Sequence, residues 1–156
     1  MNPKDYIQVS EAALNMISKV NIESNVAVYT QIENSIRFAI ASGAIKSGEK
    51  LPSVRDMTEL TQVNPNTIAK VYRDLEVMGL VYARRGMGVF IREGALERCR
   101  ERVRTEIISR MYEVCAESKA AGIPDTEAKS LLNKCLANAP DSPYSPAPDS
   151  LLALAK

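Results

Sequence analysis

The chain has 156 residues and a formal net charge of +1, with 46% hydrophobic and 25% charged residues. These proportions suit a globular chain with room for one ordinary domain, or a small domain plus a helical appendage. So low a bulk charge leaves any nucleic-acid binding to local basic clusters, and the lack of histidine removes Ser-His-Asp and Cys-His catalysis and most zinc sites.

Residues 1–25 read as an N-terminal extension. They contain Asp5 and Glu11 and no apolar run long enough for a signal peptide. Nowhere does the chain approach the ~18 consecutive apolar residues of a membrane span, so a cytoplasmic location is expected. Ser10 caps a short amphipathic helix with Leu14, Ile17 and Val20 on one face. From Val28 a stronger helix follows, with Ile32, Ile36, Ala39 and Ile40 at helical spacing and Gly43 as its stop. After a turn at Lys46-Ser47-Gly48-Glu49, Ser53 caps a third helix whose Val54, Met57 and Leu60 are expected to face inward. Gln62-Val63 makes a tight connection. Asn64 then caps a fourth helix with Pro65 at its first position, where the missing N–H costs nothing. Ile68, Val71, Tyr72 and Leu75 form its inner face, and Gly79 ends it.

Two β-like runs, residues 80–84 and 88–92, are joined by a glycine-bearing turn at Arg85-Gly86-Met87-Gly88. Leu96, Cys99, Val103, Ile107, Met111 and Val114 then recur at steps of three and four, an apolar seam along one long helix. Ala121-Gly122-Ile123-Pro124 breaks it, and a last helix carries Ala128, Leu131, Leu132, Cys135 and Leu136. Prolines at 140, 143, 146 and 148 mark residues 139–156 as a stiff Pro-rich tail. Cys99, Cys115 and Cys135 show no CxxC spacing and read as reduced thiols packed among apolar neighbours.

Helix, tight turn, helix and two-stranded wing is the layout of a winged helix-turn-helix, in which the second helix of the pair enters the DNA major groove by its N-terminal end. Here that end carries Asn64, Asn66, Thr67 and Lys70. Amides match adenine edges, Thr suits a base or phosphate, and Lys suits a phosphate or guanine. Arg84-Arg85-Gly86 at the wing tip fits a minor groove or its phosphates. Plainer readings stand beside these. Asn64-Pro65 is also an ordinary helix start, Arg84 and Arg85 an ordinary solvated tip, and Arg55 an ordinary partner for Asp56 or Glu59.

Residues 28–91 resemble the DNA-binding domain of the GntR family. The resemblance rests on Tyr29-Thr30-Gln31-Ile32, on residues 43–53 from Gly43-Ala44-Ile45 to Leu51-Pro52-Ser53 with Arg55, on Leu75-Glu76-Val77-Met78-Gly79-Leu80-Val81, and on Arg85-Gly86-Met87-Gly88-Val89-Phe90. Residues 63–70 are more similar to the YtrA-like branch than to the larger acid-sensing branches, which often carry Arg where Pro65 stands. The resemblance implies DNA contacts at Arg55, Asn64, Asn66, Thr67, Lys70, Arg85 and Gly86, with a further phosphate contact at Ser53. Pro65 has no side-chain donor, so that position contributes no hydrogen-bonded readout.

The expected organisation is mainly α with a small β-hairpin: an extension over 1–25, a winged helix-turn-helix over 26–94, a helical dimerisation region over 95–138 and the tail over 139–156. Two helices of that size cannot bury their apolar faces alone and call for a second copy. Leu96, Val103, Ile107 and Met111 are the expected dimer seam. Arg98, Arg100, Arg102 and Arg104 interleave with Glu97, Glu101 and Glu106, as a solvated face with i,i+4 pairs or as a second phosphate-binding stripe. The expected function is a sequence-specific transcriptional regulator, a repressor binding a palindromic operator as a homodimer, with no catalysis, cofactor or metal. Its partners are double-stranded DNA and itself, with any small-molecule effector undefined by the sequence. The alternative is a winged-helix protein–protein module, against which the basic reading edge argues.

Overall fold

The computed structural model describes residues 7–140 together with 143–144, 148 and 152–153. Its elements are α1 (Glu11–Ser18), α2 (Val28–Ser42), α3 (Val54–Thr61), α4 (Pro65–Val77), β1 (Val81–Arg84), β2 (Gly88–Ile91), α5 (Ala95–Ala120) and α6 (Asp125–Ala137). The fold is mainly helical with one antiparallel hairpin, a winged helix-turn-helix followed by two helices. Most of the Pro-rich tail lies outside the described residues.

The chain divides into two compact units, one running to Val103 and the other starting at Arg104. In the first, α2 and α3 both pack on α4, and α4 packs on β1. Ile32 and Ile36 of α2, Met57 of α3, Ile68, Val71 and Leu75 of α4, and Val81 and Ile91 of the hairpin are fully buried in one cluster. Leu60 departs from its expected inward place and is 50% exposed. It sits in the last turn of an eight-residue helix, beyond the turn where Met57 is buried.

The N-terminal region is no separate extension. Ser10 caps α1 by accepting the Ala13 N–H at 3.2 Å, and Ala13 and Ile17 are wholly buried in the same core as α2 and α4. Gln31, itself buried, fixes the connection to α2. Its amide donates to the carbonyls of Asn21 and Val26 at 2.8 and 2.7 Å and accepts the Asn21 N–H at 2.9 Å. Each polar atom of that side chain is thereby satisfied, as burial demands.

The hairpin pairs Val81 with Ile91, Tyr82 with Phe90, Ala83 with Val89 and Arg84 with Gly88. Residues 48–51 run along β2: the Gly48 N–H donates to Ile91 O, the Ile91 N–H to Glu49 O and the Leu51 N–H to Val89 O, each at 2.9 Å. The N-terminal segment adds to the outer edge of this stretch, where the Lys50 N–H donates to Ile7 O at 2.9 Å.

The start of α5 also belongs to the first unit. Ala95 and Cys99 are buried in its core, Arg98 donates to Gly79 O at 3.3 Å, and Arg100 donates to Ala41 O at 2.9 Å. These two arginines therefore bond to the carbonyl-rich ends of α4 and α2, a use that neither expectation for the Arg/Glu run included. The expected dimer seam splits accordingly. Leu96 is half-buried and Val103 buried within the single chain, whereas Ile107 and Met111 are 40% and 45% exposed. The cysteines divide the same way, with Cys99 buried and Cys115 and Cys135 exposed, against the expectation that all three pack among apolar groups.

In the second unit, the rest of α5 and α6 flank an open groove of about 660 Å³, with Ile107, Met111, Val114, Ile123 and Leu132 in its lining. No residue of α6 is buried, and Leu132 is 44% exposed.

Candidate nucleic-acid interface

The start of α3 is held by a reciprocal cap. The Asp56 N–H donates to Ser53 Oγ, and the Ser53 N–H donates to the Asp56 carboxylate, both at 3.1 Å. Hydrogen bonds from the Ser53 side chain and backbone hold the Asp56 carboxyl below its ordinary range. One lone pair of Ser53 Oγ is therefore held by the cap. One residue further on, Arg55 meets Glu59 at 2.9 Å on the surface. An exposed pair of this kind is worth ~0–1 kcal/mol, so exchanging the carboxylate for a phosphate costs little.

Gln62 makes the turn between α3 and α4 in the left-handed region at φ 58°, its N–H donating to Thr58 O at 2.9 Å. Asn64 then caps α4, its side-chain oxygen accepting the Asn66 N–H at 2.8 Å, with Pro65 following. Asn64 and Asn66 thus divide their tasks. The Asn64 oxygen is bound to the backbone, whereas the Asn66 side chain projects from the first turn of α4 into solvent. Thr67 is half-buried beside it. Asn66, Lys70, Arg73 and Val77 are exposed together, at helical spacing opposite the buried Ile68, Val71, Tyr72 and Leu75.

Lys70 is not a freely moving cation. Its ammonium lies 4.3 Å from the centroid of the Tyr29 ring, a cation–π contact that orients it. The Tyr29 hydroxyl reaches Glu33 at 2.9 Å and also Asp74, and the bond to Asp74 is the largest cause pushing the phenol up from its ordinary value. On the inner side of α4, the Tyr72 hydroxyl donates to Pro52 O at 2.7 Å, and burial pushes that phenol up. Tyr72 thereby ties the fourth helix to the segment that leads into α3.

At the wing, Arg85 and Gly86 form the exposed turn, closed by the Met87 N–H donating to Arg84 O at 2.9 Å. Gly86 has φ 74° and Gly88 φ 114°, conformations that L side chains rarely adopt. Tyr82 stacks on the buried Phe90 at 5.8 Å, with the Arg84 guanidinium 5.4 and 5.5 Å from the two rings. Sequence reasoning placed Arg55, Asn64, Asn66, Thr67, Lys70, Arg85 and Gly86 at the starts of α3 and α4 and at the wing turn, which is where they stand. It missed Tyr29, whose contact with Lys70 spans two helices and leaves no local signal. It also missed Arg73, which its own helical period would have put on the exposed face. Among the described residues, no group of three or more acidic or cysteine side chains is placed to hold a metal ion, and no helix is long and apolar enough to cross a membrane.

Residues 28–91 match the family model described as bacterial regulatory proteins, gntR family. The chain is 31% identical over 105 residues to the HTH-type transcriptional repressor YtrA of Bacillus subtilis, covering 67% of this chain and 81% of that protein. It is 44% identical over 73 residues to the uncharacterized HTH-type transcriptional regulator YhcF of the same organism, covering 47% of this chain and 60% of that one. Among solved structures, a GntR family transcriptional regulator from Listeria monocytogenes superposes with TM-score 0.60 at 29% identity, over 72% of this chain and 98% of the other. YtrA from Sulfolobus acidocaldarius, a GntR-family transcription factor, does so with TM-score 0.50 at 28% identity, over 64% and 98%. With its helix-turn-helix, its wing and these relatives, the chain belongs to the GntR family of DNA-binding transcriptional regulators, as a YtrA-like member.

Proposed function

We propose that the chain is a non-catalytic repressor that binds a palindromic operator as a homodimer. The observation that carries this reading is the division of labour at the start of α4. Asn64 satisfies the helix end, leaving the Asn66 amide in solvent with a donor and an acceptor at the spacing of an adenine edge. Asn66 and Thr67 read bases. Ser53, Arg55 and Lys70 meet phosphates, Asn64 holds the helix start, and the Arg85-Gly86 turn enters the flanking minor groove. The repressor sense follows the name of the Bacillus subtilis relative.

Dimerisation belongs to the second unit. Ile107, Met111 and Leu132 expose apolar surface there, as two helices that cannot cover each other would. A two-fold dimer presents two equal reading ends, and so selects an inverted repeat. The test is selection of duplexes from a random pool by the full chain, followed by sequencing. Enrichment of an inverted repeat supports the proposal. Enrichment of single, unpaired half-sites rejects the dimeric reading, and no enrichment rejects DNA binding itself.

A further inference from the structure

The groove of the second unit is apolar and basic at once. Met111 and Leu132 line it and are 45% and 44% exposed. Its lining also carries Arg110, Lys119 and Lys129, against the carboxylate of Asp125. A second uncovered apolar surface belongs to the same unit. It is the run Leu151-Leu152-Ala153-Leu154-Ala155 beyond the prolines, in which Leu152 is 59% exposed. The Leu152 N–H donates to Pro148 O at 3.2 Å, the bond of a single helical turn. Ahead of the leucines, residues 138–150 contain Asp141 and Asp149 and no cation. The two surfaces therefore complement each other twice, leucines for the apolar lining and Asp149 for the three cations beside it.

The connection between them is long enough. Prolines at 140, 143, 146 and 148 favour an extended chain, and residues 138–150 then span up to about 40 Å at ~3.1 Å per residue. The groove residues of α6 lie within that helix's own length of Asn138, about 20 Å. A tether of this reach holds its end at roughly millimolar effective concentration. An intrinsic affinity of about 0.1 mM then keeps the groove occupied in roughly nine copies of ten.

We propose that residues 149–155 dock in the groove between α5 and α6 of their own chain, and so compete with a second copy for that surface. The competition rests on the dimer reading above, since Met111 and Leu132 serve both occupants. Both copies must undock before they pair, so the tail acts as a brake on dimerisation. The test uses the full chain with Leu151→Ser and Leu154→Ser together, and a fluorescent peptide with the sequence of residues 148–156. Dimer affinity is measured by sedimentation over a range of concentrations. Loss of the two leucines should tighten the dimer by about 10- to 100-fold. The peptide, unlike a scrambled control, should bind the leucine variant and loosen its dimer. Ala128→Asp, placed in the groove lining, should abolish that binding. Leu132→Asp replaces it if Ala128→Asp lowers the helical signal. An unchanged dimer in the leucine variant overturns the brake, and a weaker one overturns it by making the tail part of the dimer seam. Peptide binding that survives both groove variants places the segment elsewhere and overturns the docking. If neither chain dimerises at any concentration, the dimer reading and the brake fall together. The peptide then decides the docking by itself: binding lost in the groove variants sustains it, and no binding overturns it.

Discussion

The two units of this chain use the same kinds of apolar residue to opposite ends. Up to Val103, isoleucines at helical spacing disappear into a core shared by five helices and a hairpin, down to Ile32, Ile36 and Ile68 with no exposed surface. Beyond it, Ile107 and Met111 recur at the same spacing and, with Leu132 of α6, stay 40–45% exposed. Periodicity alone reports that a helix has an apolar face. Whether that face is covered within the chain depends on how many other elements reach it. The first unit therefore covers its apolar faces within the chain, whereas the second leaves Ile107, Met111 and Leu132 at its surface.

The contrast is sharpest in a pair of charge insertions. If the proposed dimer forms through this seam, Ile107→Asp with Met111→Asp should convert it to a monomer in light scattering at micromolar concentration, because an uncompensated charge there would cost about 3–5 kcal/mol. The melting of the first unit should stay as it was. A double variant that remains dimeric removes the second unit from the assembly. Ile36→Ala is the converse experiment. Truncating a fully buried side chain should lower stability by about 2–5 kcal/mol in denaturant titration while leaving the oligomeric state unchanged. A smaller, concentration-dependent loss would mean that the core itself is completed by the partner.

Within the first unit, the two asparagines of α4 offer a finer division. Asn66→Ala should cost about 1–3 kcal/mol of specific binding and relax preference at one base per half-site, with the melting temperature unchanged. Asn64→Ala should instead lower stability by about 1 kcal/mol as a lost cap. Melting curves and site selection on both variants separate the roles, and equal effects on both readouts would dissolve the distinction. The smallest effect belongs to Tyr72→Phe, which removes a buried hydrogen bond to Pro52 worth about 0.5–1.5 kcal/mol. Burial raises the folded-state value of Tyr72 above the unfolded value of about 10, so the stability it gives is complete below that pH and is lost as pH rises further. The loss of stability with rising pH above about 10 should accordingly be shallower in Tyr72→Phe than in the wild-type chain.

Much of this was legible from local chemistry. The caps at Ser10, Ser53 and Asn64, the proline after Asn64 and the glycine-bearing wing turn each act over three or four residues, and each was found where the sequence placed it. The resemblance over residues 28–91 supplied the arrangement of those pieces. What escaped was set by contacts between residues distant in the chain. Gln31 is buried because the carbonyls of Asn21 and Val26 turn back to meet it, and Lys70 is oriented by Tyr29 on another helix. The seam from Leu96 to Met111 looked continuous because its spacing is continuous. Only the docking of Cys99 and the bonds of Arg98 and Arg100 show where one use ends and the other begins. Leu60 failed for a related reason, since a short helix ends before its last apolar residue meets a neighbour.

Pro65 and the Asn64 cap have a thermodynamic consequence. The ring of Pro65 fixes its φ near the helical value, and the cap fixes the turn around it, so the end of α4 proposed to meet DNA is folded before any contact. Association then involves no coil-to-helix transition in the reading head. Calorimetry of binding should show a heat-capacity change proportional to the apolar area covered between protein and duplex, without the larger decrement that accompanies folding on binding. A rigid head also cannot reshape itself around a mismatched base. The discrimination it achieves must come from contacts left unmade at the wrong sequence, and from the bending that the duplex itself will tolerate.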